Sequence, residues 1–156
     1  LLAIGIAALL GAFVSQLALN EHARNMAWAM NDANRVMERM RQLNVNCSTP
    51  SAAAPAECGD GDDACADWDA WLAGATAGGK SIAPDPSRFE VIAVTTAGTD
   101  PLQVTVAVCW RHKSRVVGEC TWDAGAATLQ TDDADGDGVI ESPAMLSTLM
   151  TCRSPS

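Results

Sequence analysis

The sequence predicts an α+β protein in which one long N-terminal helix, hydrophobic then amphipathic, packs on a small antiparallel β-sheet head. Three observations carry this expectation. The first 44 residues change from continuously apolar to one-sided apolar spacing, and no proline occurs before Pro50. Residues 88–122 are rich in β-formers that alternate with period two between short turns. Six cysteines, Cys47, Cys58, Cys65, Cys109, Cys120 and Cys152, all follow the helix, an even number that suits a small domain braced by three disulfides. The chain divides accordingly into a helix over 1–46, whose hydrophobic half is 1–19, and a head over 47–156. Within the head, 47–87 reads as a connecting loop and 88–152 as the sheet.

The helix opens with LLAIGIAALLGAFV, interrupted by Ser15 and Gln16 before Leu17, Ala18 and Leu19. A rod that is apolar all round needs lipid or other protein on every side. Ile4, Ile6, Leu9, Leu10, Phe13, Val14 and Leu17 are therefore the expected assembly residues. From Asn20 onward, Leu19, Ala23, Met26, Met30, Ala33, Met37 and Met40 form one stripe, with Glu21, Arg24, Asn31, Asp32, Arg35, Glu38 and Arg39 on the wet face. The methionines read as packing, with no metal role. At ~1.5 Å per residue such a helix is about 65 Å long. Asn44 to Asn46, followed by Ser48, Thr49 and Pro50, supplies turn chemistry that ends it.

Ser51 to Lys80 is loop-rich, with Pro55, Gly59, Gly61, Gly74, Gly78 and Gly79. Inside it, Asp67 to Leu72 suits one or two helical turns with Trp68, Trp71 and Leu72 inward. Six cysteines allow about fifteen pairings; Cys58 and Cys65 are near enough to close a small loop around the acidic turn Asp60 to Asp63, and are the pair expected. Phe89 to Thr96, Leu102 to Trp110 and Arg115 to Trp122 read as three consecutive antiparallel strands, and Met145 to Thr151 as a closing strand. Their apolar face has a partner in the helix stripe.

LLAIGIAALLGAF at one end, and VTVAVCW, RVVGE and DGDGVIESPAMLSTLM at the other, resemble the type IV pilin and prepilin-like proteins, PilV-like minor pilins in particular. The resemblance spans roughly half the chain. It implies a structural subunit whose hydrophobic half-helix resides in the inner membrane before assembly and then packs in the core of an extracellular filament on the bacterial surface. Its partners would be copies of itself or related pilins in a helical array. The family's Glu at the fifth mature position has no counterpart, since Gly5 stands there, so the chain is expected to start several residues inside the usual helix. Two other readings are a minor pilin or type II secretion pseudopilin that primes or caps a filament, and a membrane-anchored periplasmic calcium-binding module.

A net charge of −9 and a sequence pI near 4.4 disfavour nucleic acid as the main partner. No Gly-x-Ser-x-Gly, His-Glu-x-x-His or phosphate-binding glycine loop occurs, His22 falls on the polar face of the helix and His112 in a turn, so neither an enzyme nor a small-molecule substrate is expected. The sharpest motif is Asp133-Ala134-Asp135-Gly136-Asp137-Gly138-Val139-Ile140-Glu141. Oxygens at alternate positions and a glycine before an apolar residue are how an EF-hand-like loop wraps calcium, Val139 offering its carbonyl and Glu141 a further carboxylate. Ala144 stands where the bidentate Glu would close the shell, so Ca2+ is expected to bind weakly; the plain alternative is a solvated acidic turn. Arg111, His112, Lys113 and Arg115 form the basic cluster, either a polar hairpin tip or a contact for an acidic loop of the next copy.

Overall fold

The computed structural model describes residues 2–58, 65–74, 76–82 and 85–152, and side chains from Gly5 onward. Its dominant element is α1, Leu2–Leu43, a single unbroken helix. Gly5 and Gly11 are the breakers within it, and no Cβ placed on either would meet a neighbour. At its C-terminus Asn44 is buried. Its Nδ2 donates to the carbonyls of Met40 and Ser51 at 2.8 and 2.7 Å, and its Oδ1 accepts the Ser51 N–H at 2.8 Å. One side chain thus adds a second donor to the Met40 carbonyl, which also accepts the Asn44 N–H, and fixes the exit direction of the chain.

The buried face of α1 differs from the expected stripe. Ala33, Met37 and Met40 of that stripe are buried and Met26 and Met30 are half-buried, but Leu19 is 68% exposed and Ala23 is also exposed, while Ala29 and Val36, outside the stripe, are buried. Asn25 and Asp32 are buried, so the assignment of Asp32 to the wet face is corrected. The seam lies one residue round from the apolar count because Asp32 has donors waiting on the head, described below.

After α1 the chain makes α2, Trp68–Ala73, and the short turn α3, Pro86–Phe89. Asp67 caps α2 by accepting the Ala70 N–H at 2.8 Å. Trp68, Trp71 and Leu72 are buried as expected, and Trp68 Nε1 donates to the Ala52 carbonyl at 2.7 Å. The acidic turn Asp60 to Asp63 lies outside the described residues.

The sheet is organised around β2, Leu102–His112. Along one edge it pairs antiparallel with β1, Glu90–Ala97, from Glu90↔Trp110 to Ala97↔Gln103. Its other edge is shared: β6, Ala144–Met150, pairs from Leu102↔Met150 to Val108↔Ala144, and β3, Arg115–Val117, takes over at Trp110↔Val117. Val104, Val106, Val108 and Trp110 point into the main core with α1 and α2. Ala107 and Cys109 point to the opposite face, where Ala93, Leu129 and Ile140 cover them. This alternation is the period of two read in the sequence.

The expected third strand, Arg115 to Trp122, is two strands. Gly118 breaks it with φ +96°, and a Cβ there would lie 2.7 Å from Cys109 Sγ. The chain then leaves the main sheet and forms a second, two-stranded one from β4, Cys120–Asp123, and β5, Thr128–Thr131. Three disulfides staple the head: Cys58–Cys65 as expected, Cys109–Cys120 across the Gly118 break, and Cys47–Cys152, which ties the end of α1 to the residues after β6.

Candidate functional site

The first half of α1 projects away from the head. Ile6, Leu9, Leu10, Phe13, Val14 and Leu17 are each more than half exposed and, at spacings of three and four, share one broad face of the helix, while the small apolar residues Ala7, Ala8, Gly11, Ala12 and Ala18 are exposed on the rest of it. The side chain of Ile4 lies outside the described residues. Among the described residues no helix is long and apolar enough to cross a membrane. The apolar run ends at Leu19, and Asn20, Glu21 and His22 follow at once.

The acidic loop 132–141 is shaped by its own side chains. Asp133 Oδ1 and Oδ2 accept the N–H groups of Gly136 and Gly138 at 2.8 and 2.9 Å. Asp135 accepts from Asp137 N–H at 3.1 Å, and Asp137 from Val139 N–H at 2.7 Å. Gly136 and Gly138 hold φ +75° and +84°, which alanine or a larger residue resists. Asp133 and Asp135 are brought together with Glu119, one carboxylate oxygen from each lying within 4.8 Å of the others. Glu119 and Glu141 are locked across the loop: Glu141 N–H donates to Glu119 Oε2 at 2.8 Å and Glu119 N–H to the Glu141 carbonyl at 2.7 Å. Three clustered carboxylates of this kind could hold a cation; exposed acidic groups also occur without one. Asp137 and Glu141 do not share that oxygen cluster. Glu119 is the residue sequence reasoning missed. The signal available was the loop's missing twelfth-position carboxylate, which leaves a vacancy for one supplied from elsewhere in the fold.

A second polar centre is sealed inside the head. Asp32 on α1 and Glu90 at the start of β1 are 0% and 1% exposed. Asp32 accepts the Ser81 N–H and hydroxyl at 2.8 Å each and pairs with Arg35 Nη1 at 2.7 Å. Arg35 also donates to the Gly79 carbonyl. Glu90 Oε2 accepts the Ile82 N–H at 3.1 Å, while Oε1 meets no donor. Lys80, its side chain 2% exposed, bonds Asp69 at 2.7 Å and the Glu90 carbonyl at 2.8 Å. Burial, then the charge of Asp32 and a hydrogen bond with it, push the Glu90 carboxyl up to about 8 against the lowering pull of Ile82 N–H and Lys80. Burial beside Asp32 thus favours the protonated acid at Glu90, and the segment 79–82 is held to α1 through Gly79 and Ser81 and to β1 through Lys80 and Ile82.

His112 belongs to β2 and not to an exposed turn. It is wedged against α1, with Nε2 3.1 Å from Glu21 Oε2 and Nδ1 3.5 Å from Asn25 Nδ2. His22, exposed as expected, has its ring 6.1 Å from that of Trp110.

Comparison of the chain with protein-family models, with curated proteins and with solved structures gives no match.

Proposed function

We propose that this chain is a structural subunit of a type IV pilus-like extracellular filament, polymerising through the hydrophobic half of α1. The observation that carries the reading is the two-part use of one continuous helix. Its second half is consumed by the head, while its first half leaves Ile6, Leu9, Leu10, Phe13, Val14 and Leu17 exposed along one broad face, with exposed Ala and Gly on the other sides. A contiguous apolar surface of this extent is tolerated when something else covers it, and packing against the same half-helix of other copies covers every side. Before assembly the same half-helix would sit in the inner membrane. An Ile6→Asp variant tests the reading, because an unpaired carboxylate in a packed helical core costs several kcal/mol. Filaments sheared from cells should be lost while the head keeps its fold by near-ultraviolet circular dichroism. A normal filament yield from Ile6→Asp would overturn the proposal.

We infer further that the head binds calcium at the 132–141 loop, with Asp133, Asp135 and Glu119 as the first carboxylates. The specific support is that Glu119, from the β3–β4 connection, stands beside the two aspartates in place of the closing residue that the loop itself lacks. The same observation would serve a membrane-anchored calcium-binding module. Filament abundance separates that reading from a structural subunit.

A further inference from the structure

Four of the ten lysines and arginines of this acidic chain lie at one level of the molecule. Arg24 on α1 and Arg111, His112, Lys113 and Arg115 on the β2–β3 hairpin face each other across the junction of helix and hairpin, just past the end of the apolar run at Leu19. Two clefts open there between helix and hairpin, of about 430 and 770 Å³, and they meet at His112. Among the described residues lining them, Glu21 is the sole acid, and it is already engaged by His112 at 3.1 Å and Lys113 at 3.6 Å. Arg111 is held differently, its guanidinium 3.9 Å over the Trp122 ring, which stacks on Phe89. The hairpin therefore presents Lys113, 70% exposed, and exposed Arg115 beside exposed Arg24, against an apolar helix that emerges directly beneath them.

We propose that this basic collar docks the head on an anionic phospholipid surface, its cations meeting headgroup phosphates while the apolar half-helix is seated in the acyl chains. The inference rests on the reading that residues up to Leu19 enter a bilayer before assembly. Geometry supports it: Leu19 to Arg24 rises about 8 Å along the helix, comparable to the headgroup layer that lies on each side of a ~30 Å hydrocarbon core. Charge supports it too. In a chain of net charge −9, a collar of four full cations against one acid is complementary to a negative lipid surface. The remainder of the head would be repelled, which orients the subunit.

The test is flotation of the full chain with vesicles of phosphatidylcholine alone or with one-third phosphatidylglycerol, for the wild type and for the combined Arg24→Gln, Lys113→Gln, Arg115→Gln variant. A basic residue near an anionic surface strengthens binding about fivefold, so the three substitutions should weaken binding to anionic vesicles by on the order of 100-fold. Binding to neutral vesicles should be unchanged, and 0.5 M salt should erase the wild-type preference for anionic lipid. Equal wild-type binding to neutral and anionic vesicles would overturn the collar and leave the seated helix standing. Failure to bind either vesicle would overturn the helix reading and the collar with it. Self-association lost in the triple variant, with vesicle binding intact, would assign the collar to a second copy and refute the lipid assignment.

Discussion

Glu90→Gln isolates the buried proton. In the folded head the Glu90 carboxyl titrates near 8, against an ordinary value of 4.5. The folded state therefore keeps a proton that the unfolded chain releases. The stability this contributes is fully present below about pH 4.5 and is lost as pH rises through 8. Between these two values the slope approaches ~1.4 kcal/mol per pH unit, so the loss is under about 1 kcal/mol at pH 5, about 3 at pH 7 and about 4 at pH 8. The amide of Gln is neutral at every pH, can accept the Ile82 N–H and can donate to Asp32. Glu90→Gln should therefore match the wild type within about 1 kcal/mol at pH 5 and exceed it by roughly 2–4 kcal/mol at pH 8. For a domain of this size that is a gap in Tm on the order of 10 °C. Urea melts followed by tryptophan fluorescence at pH 5, 6, 7 and 8 read it directly, because Trp68 and Trp71 are in the same core. His22 and His112 are common to both proteins, so the difference between the two curves belongs to position 90. Parallel pH profiles for wild type and Glu90→Gln would refute the raised titration of Glu90.

Calcium at about 100 Kd should stabilise the head by about 2.7 kcal/mol; differential scanning calorimetry in chelator and in millimolar calcium checks this, and Glu119→Gln or Asp135→Ala should each abolish most of the shift. Gly118→Ala combines positive φ with a clash onto Cys109 Sγ, and should destabilise the head by roughly 2–4 kcal/mol in denaturant melts. Alkylation of the unreduced, denatured protein followed by mass spectrometry should label no cysteine, and peptide mapping should recover Cys47 with Cys152 and Cys109 with Cys120. Removing the Cys47–Cys152 bridge as a double serine variant should cost about 2–5 kcal/mol.

The helix, α2 and the alternation of β1 and β2 were legible because each is encoded within a few residues: a proline-free run with apolar spacing, an Asp cap ahead of Trp68, a strict period of two. Asp32 was not. Between Asn31 and Ala33 it has the local signature of a wet face, and what buries it is Ser81, 49 residues away, together with Glu90. The division of Arg115 to Trp122 turned on Gly118, whose left-handed backbone and contact with Cys109 are tertiary facts. β5 escaped notice since Thr128–Thr131 is four residues long and pairs with a strand outside the main sheet. In the acidic loop Asp133 and Asp135 could be found by spacing, whereas Glu119 reaches them through the pairing of its backbone with Glu141.

The Cys47–Cys152 bridge has a mechanical meaning. It closes the head into a covalent ring that starts where α1 ends, with 105 residues of sequence separation between its two sulfurs. Tension applied between the helix and the C-terminal end of the chain passes from Cys47 to Cys152 directly and bypasses the sheet. Without the bridge, the same pull could unravel the head and pay out on the order of 350 Å of chain. With it, that length is withheld, and a chain tugged from both ends behaves as an inextensible link whose folded head bears little of the load.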